Sequence, residues 1–295
     1  MMKSRAAEFL ADAADRSVRF EVMTTPKPGL VDAENSGCHK DMDYSLFIKS
    51  ADAIAPFWVR QAEAGVDGTP PEEAMKYLRE TGIAAEKAMS EATGGINTHK
   101  GLIYIMSLLL YGAGFVCSRG ERLSPESIAR AASLAVRGAV ADELIPAARM
   151  KDLRPLTHGE RLFVKYGITG VRGEAERGFP SVIKRGLPVF CAAADKGAAE
   201  NDAGIASLLA IMLHCEDSNV IHRAGYEYMI NTYPKIVSDA AARFDPVSPD
   251  YRSLYALEKE FMPLCVSPGG AADLLSGTYF LYFICKKYNL TVVKN

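Results

Sequence analysis

Chemically capable side chains are densest in two neighbouring stretches, Thr25-Pro26-Lys27-Pro28-Gly29-Leu30-Val31-Asp32 and Asn35-Ser36-Gly37-Cys38-His39-Lys40-Asp41-Met42-Asp43. Prolines on both sides of Lys27 restrict its backbone before any ligand arrives, and a lysine held in that way suits a phosphate. Asp32, Asp41 and Asp43 are hard oxygen donors of the kind Mg2+ takes when it also keeps waters and substrate phosphate oxygens. For any one of these residues a helix cap or a solvated loop is the plain alternative. It is their convergence with His39 and Lys40 that points to a site.

A second stretch, Ala92-Thr93-Gly94-Gly95-Ile96-Asn97-Thr98-His99-Lys100-Gly101, runs straight into an apolar segment. Its amides are expected at the positive end of a helix, with Asn97, Thr98 and Lys100 available to an anion and His99 as a titratable group. The spacing is not that of a P-loop. A third stretch, residues 158–176, sets Arg161, Arg172 and Glu174 among four glycines. The arginines can clamp phosphate oxygens, and Glu174 can act as a base or hold a metal. Glu216–Arg223 and Val266–Asp273 are weaker and read first as capped helix starts. His214, after an apolar run, reads as a buried core histidine, and Cys38 lacks the spacing of a nucleophile.

Helices must position these loops. Apolar residues recur at helical spacing at Phe47, Ala51, Ile54 and Trp58, at Met75, Leu78, Ala85 and Met89, and at Ile205, Leu208, Leu209 and Met212. Pro70-Pro71-Glu72-Glu73, Ser124-Pro125-Glu126, Ser248-Pro249-Asp250 and Ser267-Pro268 are helix-start signals. The expectation is an all-α chain of about ten helices, residues 1–295 forming a single catalytic domain with a possible seam near residues 150–156.

The chain has 295 residues, 48% of them hydrophobic and 24% charged, which supports a packed core and excludes a disordered or fibrous class. With 34 Lys plus Arg against 36 Asp plus Glu, no global basic field exists to hold nucleic acid or an anionic membrane. The six cysteines lie at least 20 residues apart, so reduced, mostly buried thiols in a cytoplasm are expected. Residues 101–118 are 18 without a charge, the lower limit for a membrane span. Their glycines, serines and tyrosines suit a central helix of a bundle instead.

The blocks TPKPGLVD, NSGCHKDMD, ATGGINTHKG, HGERLFVKYGITGVRGEAERGFP, EDSNVIHRAG and SPGGAADLL, in that order over roughly residues 20–280, strongly resemble the triphosphoribosyl-dephospho-CoA synthase family. Cys38, Ser218 and Ala224 depart from the family's usual residues. The resemblance implies an all-α enzyme that uses ATP and 3′-dephospho-CoA, releases adenine and joins the acceptor's 2′-hydroxyl to C1 of the ribose. Its product would feed the prosthetic group of the acyl carrier subunit of citrate lyase or malonate decarboxylase.

Such chemistry at an anomeric carbon needs a base, help for the leaving group and nearby negative charge. His39 or His99 is then expected as the general base, with Glu174 in reserve. Lys27, Lys40, Asn97, Thr98, Lys100, Arg161 and Arg172 are expected on phosphate, and Asp32, Asp41 and Asp43 on Mg2+ or ribose. Two other classes stay open at this level: an all-α metal-dependent phosphohydrolase or ADP-ribosyl hydrolase, and a non-catalytic nucleotide-binding helical protein. A homodimer is an unforced expectation.

Overall fold

The computed structural model describes residues 2–149 and 155–287, in which fifteen α-helices occur and no strand. The seam expected around 150–156 falls largely outside the described residues. The helix count exceeds the ten expected because the second half is cut into short pieces. The first half holds four long helices, α1 (Met2–Met23), α2 (Tyr44–Val66), α3 (Pro71–Thr93) and α4 (Lys100–Ser118), followed by the shorter α5 (Pro125–Ala135). After them come α6 (Ile145–Arg149), α7 (His158–Tyr166), α8 (Gly170–Glu176), α9 (Leu187–Asp195), α10 (Glu200–Met212), α11 (Ser218–Ala224), α12 (Tyr226–Asn231), α13 (Tyr233–Arg243), α14 (Arg252–Phe261) and α15 (Gly269–Tyr282).

Local chemistry sets several of these boundaries. Asp43 accepts the Leu46 amide at 2.8 Å and caps α2, while α3 starts on Pro71 with Glu72 and Glu73 in its first turn and stops at left-handed Gly94. Ser124 with Ser127, and Thr157 with Glu160, form reciprocal capping boxes on α5 and α7. The Ser248-Pro249-Asp250 signal comes slightly early, since α14 begins at Arg252.

The apolar 101–118 segment becomes α4, the described helix long and apolar enough to cross a membrane. Thirteen of its residues are buried, against α2, α3, α5 and α15, so it is the bundle's central helix. Its approach to α2 is backbone to backbone. A Cβ on Gly65 would lie 2.2 Å from the Tyr111 carbonyl oxygen, and one on Gly114 would lie 2.6 Å from that of Ala62. One contiguous core runs from Ala7 to Ile284 and includes the fully buried Trp58, Tyr111, Tyr279 and Phe280.

Two smaller expectations are corrected. His214 is exposed rather than buried, because it lies just past the last turn of α10, where its Nδ1 is 2.8 Å from the Ala210 carbonyl oxygen. The cysteines are free thiols as expected, but Cys215 alone among them is buried.

Candidate active site

Five segments far apart in sequence enclose one cavity of about 690 Å³, a size typical of small-molecule sites. They are the 21–47 stretch, the start of α4, α8, the 215–219 turn into α11, and the start of α15. Helix ends bring the amides: α4 and α15 both begin in the cavity wall, and neither has a side-chain hydrogen bond from its N-cap residue. Their positive ends favour an anion.

Among the sequence-predicted residues, the cavity gathers Lys27, His39, Asn97, Thr98, His99, Lys100, Arg172 and Glu174. Arg172 Nε donates to Glu143 at 2.7 Å and Lys100 pairs with Glu86 at 2.8 Å. With side chains 35% and 61% exposed, both keep N–H donors open to a ligand. Lys27 is different: its ammonium is buried and donates to the Glu21 carboxylate at 2.5 Å and the Glu21 carbonyl at 2.7 Å. Its charge is already compensated, and it ties the loop to the end of α1 rather than standing free for phosphate.

Lys40, Arg161, Asp32, Asp41 and Asp43 do not line the cavity. Asp32 Oδ2 accepts the Lys27 amide at 2.7 Å, and its Oδ1 accepts the amides of Glu34 and Asn35 at 2.8 and 3.0 Å. Asp43 caps α2 and also accepts from Ser45 Oγ at 2.7 Å. Asp41 is 63% exposed, and Arg161 donates to the Leu156 carbonyl oxygen at 2.6 Å. The expected magnesium set is therefore not assembled. Asp32 and Asp43 are engaged in shaping backbone, as short carboxylates commonly are in turns and caps.

The carboxylates that do face the cavity came from segments with a weak sequence signal. Asp217, 1% exposed, accepts the Asn219 amide at 2.9 Å and the Ala271 amide at 2.9 Å, joining the starts of α11 and α15. Asp273 lies against the start of α4. A Cβ on Gly101 would stand 2.1 Å from its Oδ2, so only glycine fits there. Burial first, then the negative charges of Glu21 and Asp217, push the Asp273 pKa well above the carboxylate range. Glu174, which accepts the Ser181 amide at 2.7 Å, is also raised, chiefly by burial. Chemical identity alone did not distinguish these acids from ordinary helix caps. Asn219, Arg223 and Ser267, from the two weaker segments read first as capped helix starts, also line the cavity.

Both histidines are in the wall and both are pushed towards neutrality. His39 Nε2 lies 2.9 Å from Ser267 Oγ, and burial followed by the charge of Arg223 lowers its pKa. His99 is 2% exposed, its Nδ1 is 2.7 Å from Ser50 Oγ, and Phe47 packs edge-on at 5.0 Å. Burial and the nearby charge of Lys27 bring it down to about 3.

The lining counts four cations, Lys27, Lys100, Arg172 and Arg223, against five acids, Glu21, Glu174, Glu216, Asp217 and Asp273. That balance suits a polyanion that arrives with its own divalent cation. Among the described residues no group of three or more His, Cys, Asp or Glu side chains converges to hold an ion. Magnesium fits nonetheless, since it is commonly held by one or two carboxylates together with substrate phosphates and water, and Asp273 is such a donor.

An all-helical bundle whose loops build an amide-lined, mixed-charge cavity with two neutral histidines defines a helical enzyme acting on a phosphorylated substrate. The family profile described as ATP:dephospho-CoA triphosphoribosyl transferase matches residues 7–292, and the chain belongs to that family. A 2-(5''-triphosphoribosyl)-3'-dephosphocoenzyme-A synthase from Pectobacterium atrosepticum is 37% identical over 268 residues, covering 90% of this chain and 86% of the relative. The synthase of that name from Klebsiella pneumoniae is 35% identical over 285 residues, 95% and 92% of the two chains. A crystal structure from Archaeoglobus fulgidus aligns with a TM-score of 0.52 over 80% of this chain and 97% of its own, at 16% identity, which supports the fold. The matched profile and relatives carry transferase and synthase names, not those of the hydrolases or passive binding proteins left open by the sequence.

Proposed function

We propose that the cavity joins the 2′-hydroxyl of 3′-dephospho-CoA to C1 of the ATP ribose, with loss of adenine and retention of the triphosphate. One observation carries this reading: the ends of α4 and α15, Lys100, Arg172 and both neutral histidines share a single cavity wall. Hydrolysis would need water at C1, whereas this reaction needs a pocket roomy enough for a second substrate.

The triphosphate is assigned to Lys100 and Arg172 beside the positive ends of the two helices, where cations and dipoles act together. Magnesium accompanying ATP would be held by Asp273, which would give up its proton to bind the cation, and when bound it would neutralise part of the triphosphate charge. His39 is assigned as the general base. It is neutral in the physiological range because its pKa is lowered, and its imidazole takes the proton of the attacking 2′-hydroxyl. The C1–N9 bond breaks as the new C1–O bond forms, and its electron pair leaves with adenine. Asp217 and Glu174 are the lining carboxyl groups placed to face the positive charge of an oxocarbenium-like state. A single displacement with inversion needs no covalent ribosyl-enzyme.

With ATP as donor the setting is the cytoplasm, and the product is proposed to pass to the acyl carrier system of citrate lyase or malonate decarboxylase. A homodimer remains our working expectation for the assembly. The test is product analysis with ATP alone and with ATP plus dephospho-CoA. Free adenine should form in proportion to the acceptor consumed. Phosphate release, or adenine release without acceptor, would overturn the reading.

A further inference from the structure

His99 is held by a buried relay. Thr98 Oγ1 donates to Ser50 Oγ at 2.6 Å, and Ser50 Oγ lies 2.7 Å from His99 Nδ1. Ser50 is fully buried on α2, 49 residues from the histidine it touches. The Ser50 oxygen accepts the Thr98 proton, and among the described residues its own hydrogen has no acceptor other than Nδ1, so that nitrogen is read as the acceptor. A neutral imidazole carries one N–H, so the proton must then sit on Nε2.

Nε2 is buried and has no hydrogen-bond partner among the described residues, although His99 belongs to the cavity wall. An unpaired buried N–H is unfavourable until an acceptor arrives. The ring is fixed while it waits. Phe47 packs edge-on against it, and the His99 amide donates to Met89 Sδ at 3.3 Å. These apolar neighbours suit a flat heteroaromatic base better than a polyphosphate.

We infer that Ser50 is a positioning residue which, with Thr98, locks His99 as the Nε2–H tautomer, making His99 a neutral hydrogen-bond donor to a ring nitrogen of departing adenine and not the general base. The inference rests on the adenine-releasing reading above. As the C1–N9 bond breaks, its electron pair passes onto adenine, and the Nε2–H hydrogen bond strengthens without proton loss from His99. The 2′-hydroxyl proton goes to His39 and leaves with adenine, so atoms and charge balance. A neutral imidazole donor of this kind serves triosephosphate isomerase, where it polarises a carbonyl.

The test uses the full chain. Nitrogen-15 NMR of histidine-labelled enzyme, with the His99 signals assigned by loss in His99→Asn, should show a protonated Nε2 and an unprotonated Nδ1. Ser50→Ala should mix the tautomers and lower kcat for adenine formation about tenfold, with KM for both substrates within twofold. Thr98→Val should do the same more weakly, and Thr98→Ser should recover most of the loss. If Ser50→Ala does not fold, Thr98→Val and the wild-type spectrum still decide. A wild-type His99 protonated on Nδ1, or mixed tautomers with undiminished kcat, would overturn the inference. Failure of the underlying reading looks different: the wild-type enzyme would then release no acceptor-dependent adenine, whatever the tautomer.

Discussion

The 24–43 loop and the three helix-start segments at 97–101, 215–219 and 267–274 invert what their sequences advertise. The loop is crowded with lysine, histidine and aspartate, yet Asp32 and Asp43 bind backbone amides, Lys27 is paired with Glu21, and Asp41 is 63% exposed. Two of the helix starts, 215–219 and 267–274, look like ordinary punctuation, yet with 97–101 they supply Asn97, His99, Lys100, Asp217, Asn219 and Asp273 to the cavity. Density of reactive types marks where a chain needs shaping as often as where it does chemistry. Position on a converging helix end is the better guide, because amides and dipoles are delivered there together.

The contrast can be broken at its strongest point first. Asp217→Ala leaves the buried amide of Ala271 and the part-buried amide of Asn219 without their acceptor, and a loss of ~3 kcal/mol in urea unfolding is expected. Stability within ~0.5 kcal/mol of wild type would show that Asp217 does not join the two helices. Next comes His39, the loop residue assigned to chemistry. His39→Asn should keep the helical circular dichroism spectrum and slow adenine formation by about 100-fold. A near-normal rate would remove the whole 24–43 loop from catalysis.

The pH dependence of stability sharpens the helix-start side. His99 has a folded pKa of about 3 against 6.5 ordinarily, so its contribution is present above pH 6.5 and lost as the pH falls. From pH 7 to pH 5 this amounts to roughly 2 kcal/mol. His99→Gln should flatten that part of the stability curve, whereas an unchanged slope would place the titration elsewhere.

Arginines separate the two kinds of position at smaller scale. Arg172→Ala should raise KM for ATP about tenfold through loss of a charge-assisted contact, while Arg161→Ala should leave it within twofold. Equal effects would contradict the cavity assignment. The smallest effect is expected at Asp43→Ser, which keeps a capping oxygen on α2 and should alter neither adenine formation nor stability beyond ~0.5 kcal/mol. A metal ligand at that position would show as lost activity.

Much of the fold was legible because period and punctuation agree: α3 begins on Pro71, α5 on Pro125 and α15 after Pro268, as their start signals require. Short helices such as α8 and α12 were not, since six or seven residues are too few to establish a period. In the site, Asn97 to Lys100 could be placed because they adjoin an unmistakable apolar helix. Asp273 and Asp217 could not, because an aspartate at a helix start is a common cap, and only the packing of α15 against α4 and α11 gives these two a cavity to face. Ser50 carries no local signal at all. Its partner lies 49 residues away and meets it only after α2 packs on α4.

The central claim is that helix starts, and not the residue-rich loop, grip the nucleotide. A crystal structure of the chain with ATP tests it most directly. The triphosphate should lie between Lys100, Arg172 and the starts of α4 and α15, with adenine near His99. A triphosphate held instead by Lys40, Asp41 and Asp43 outside that cavity would contradict the account.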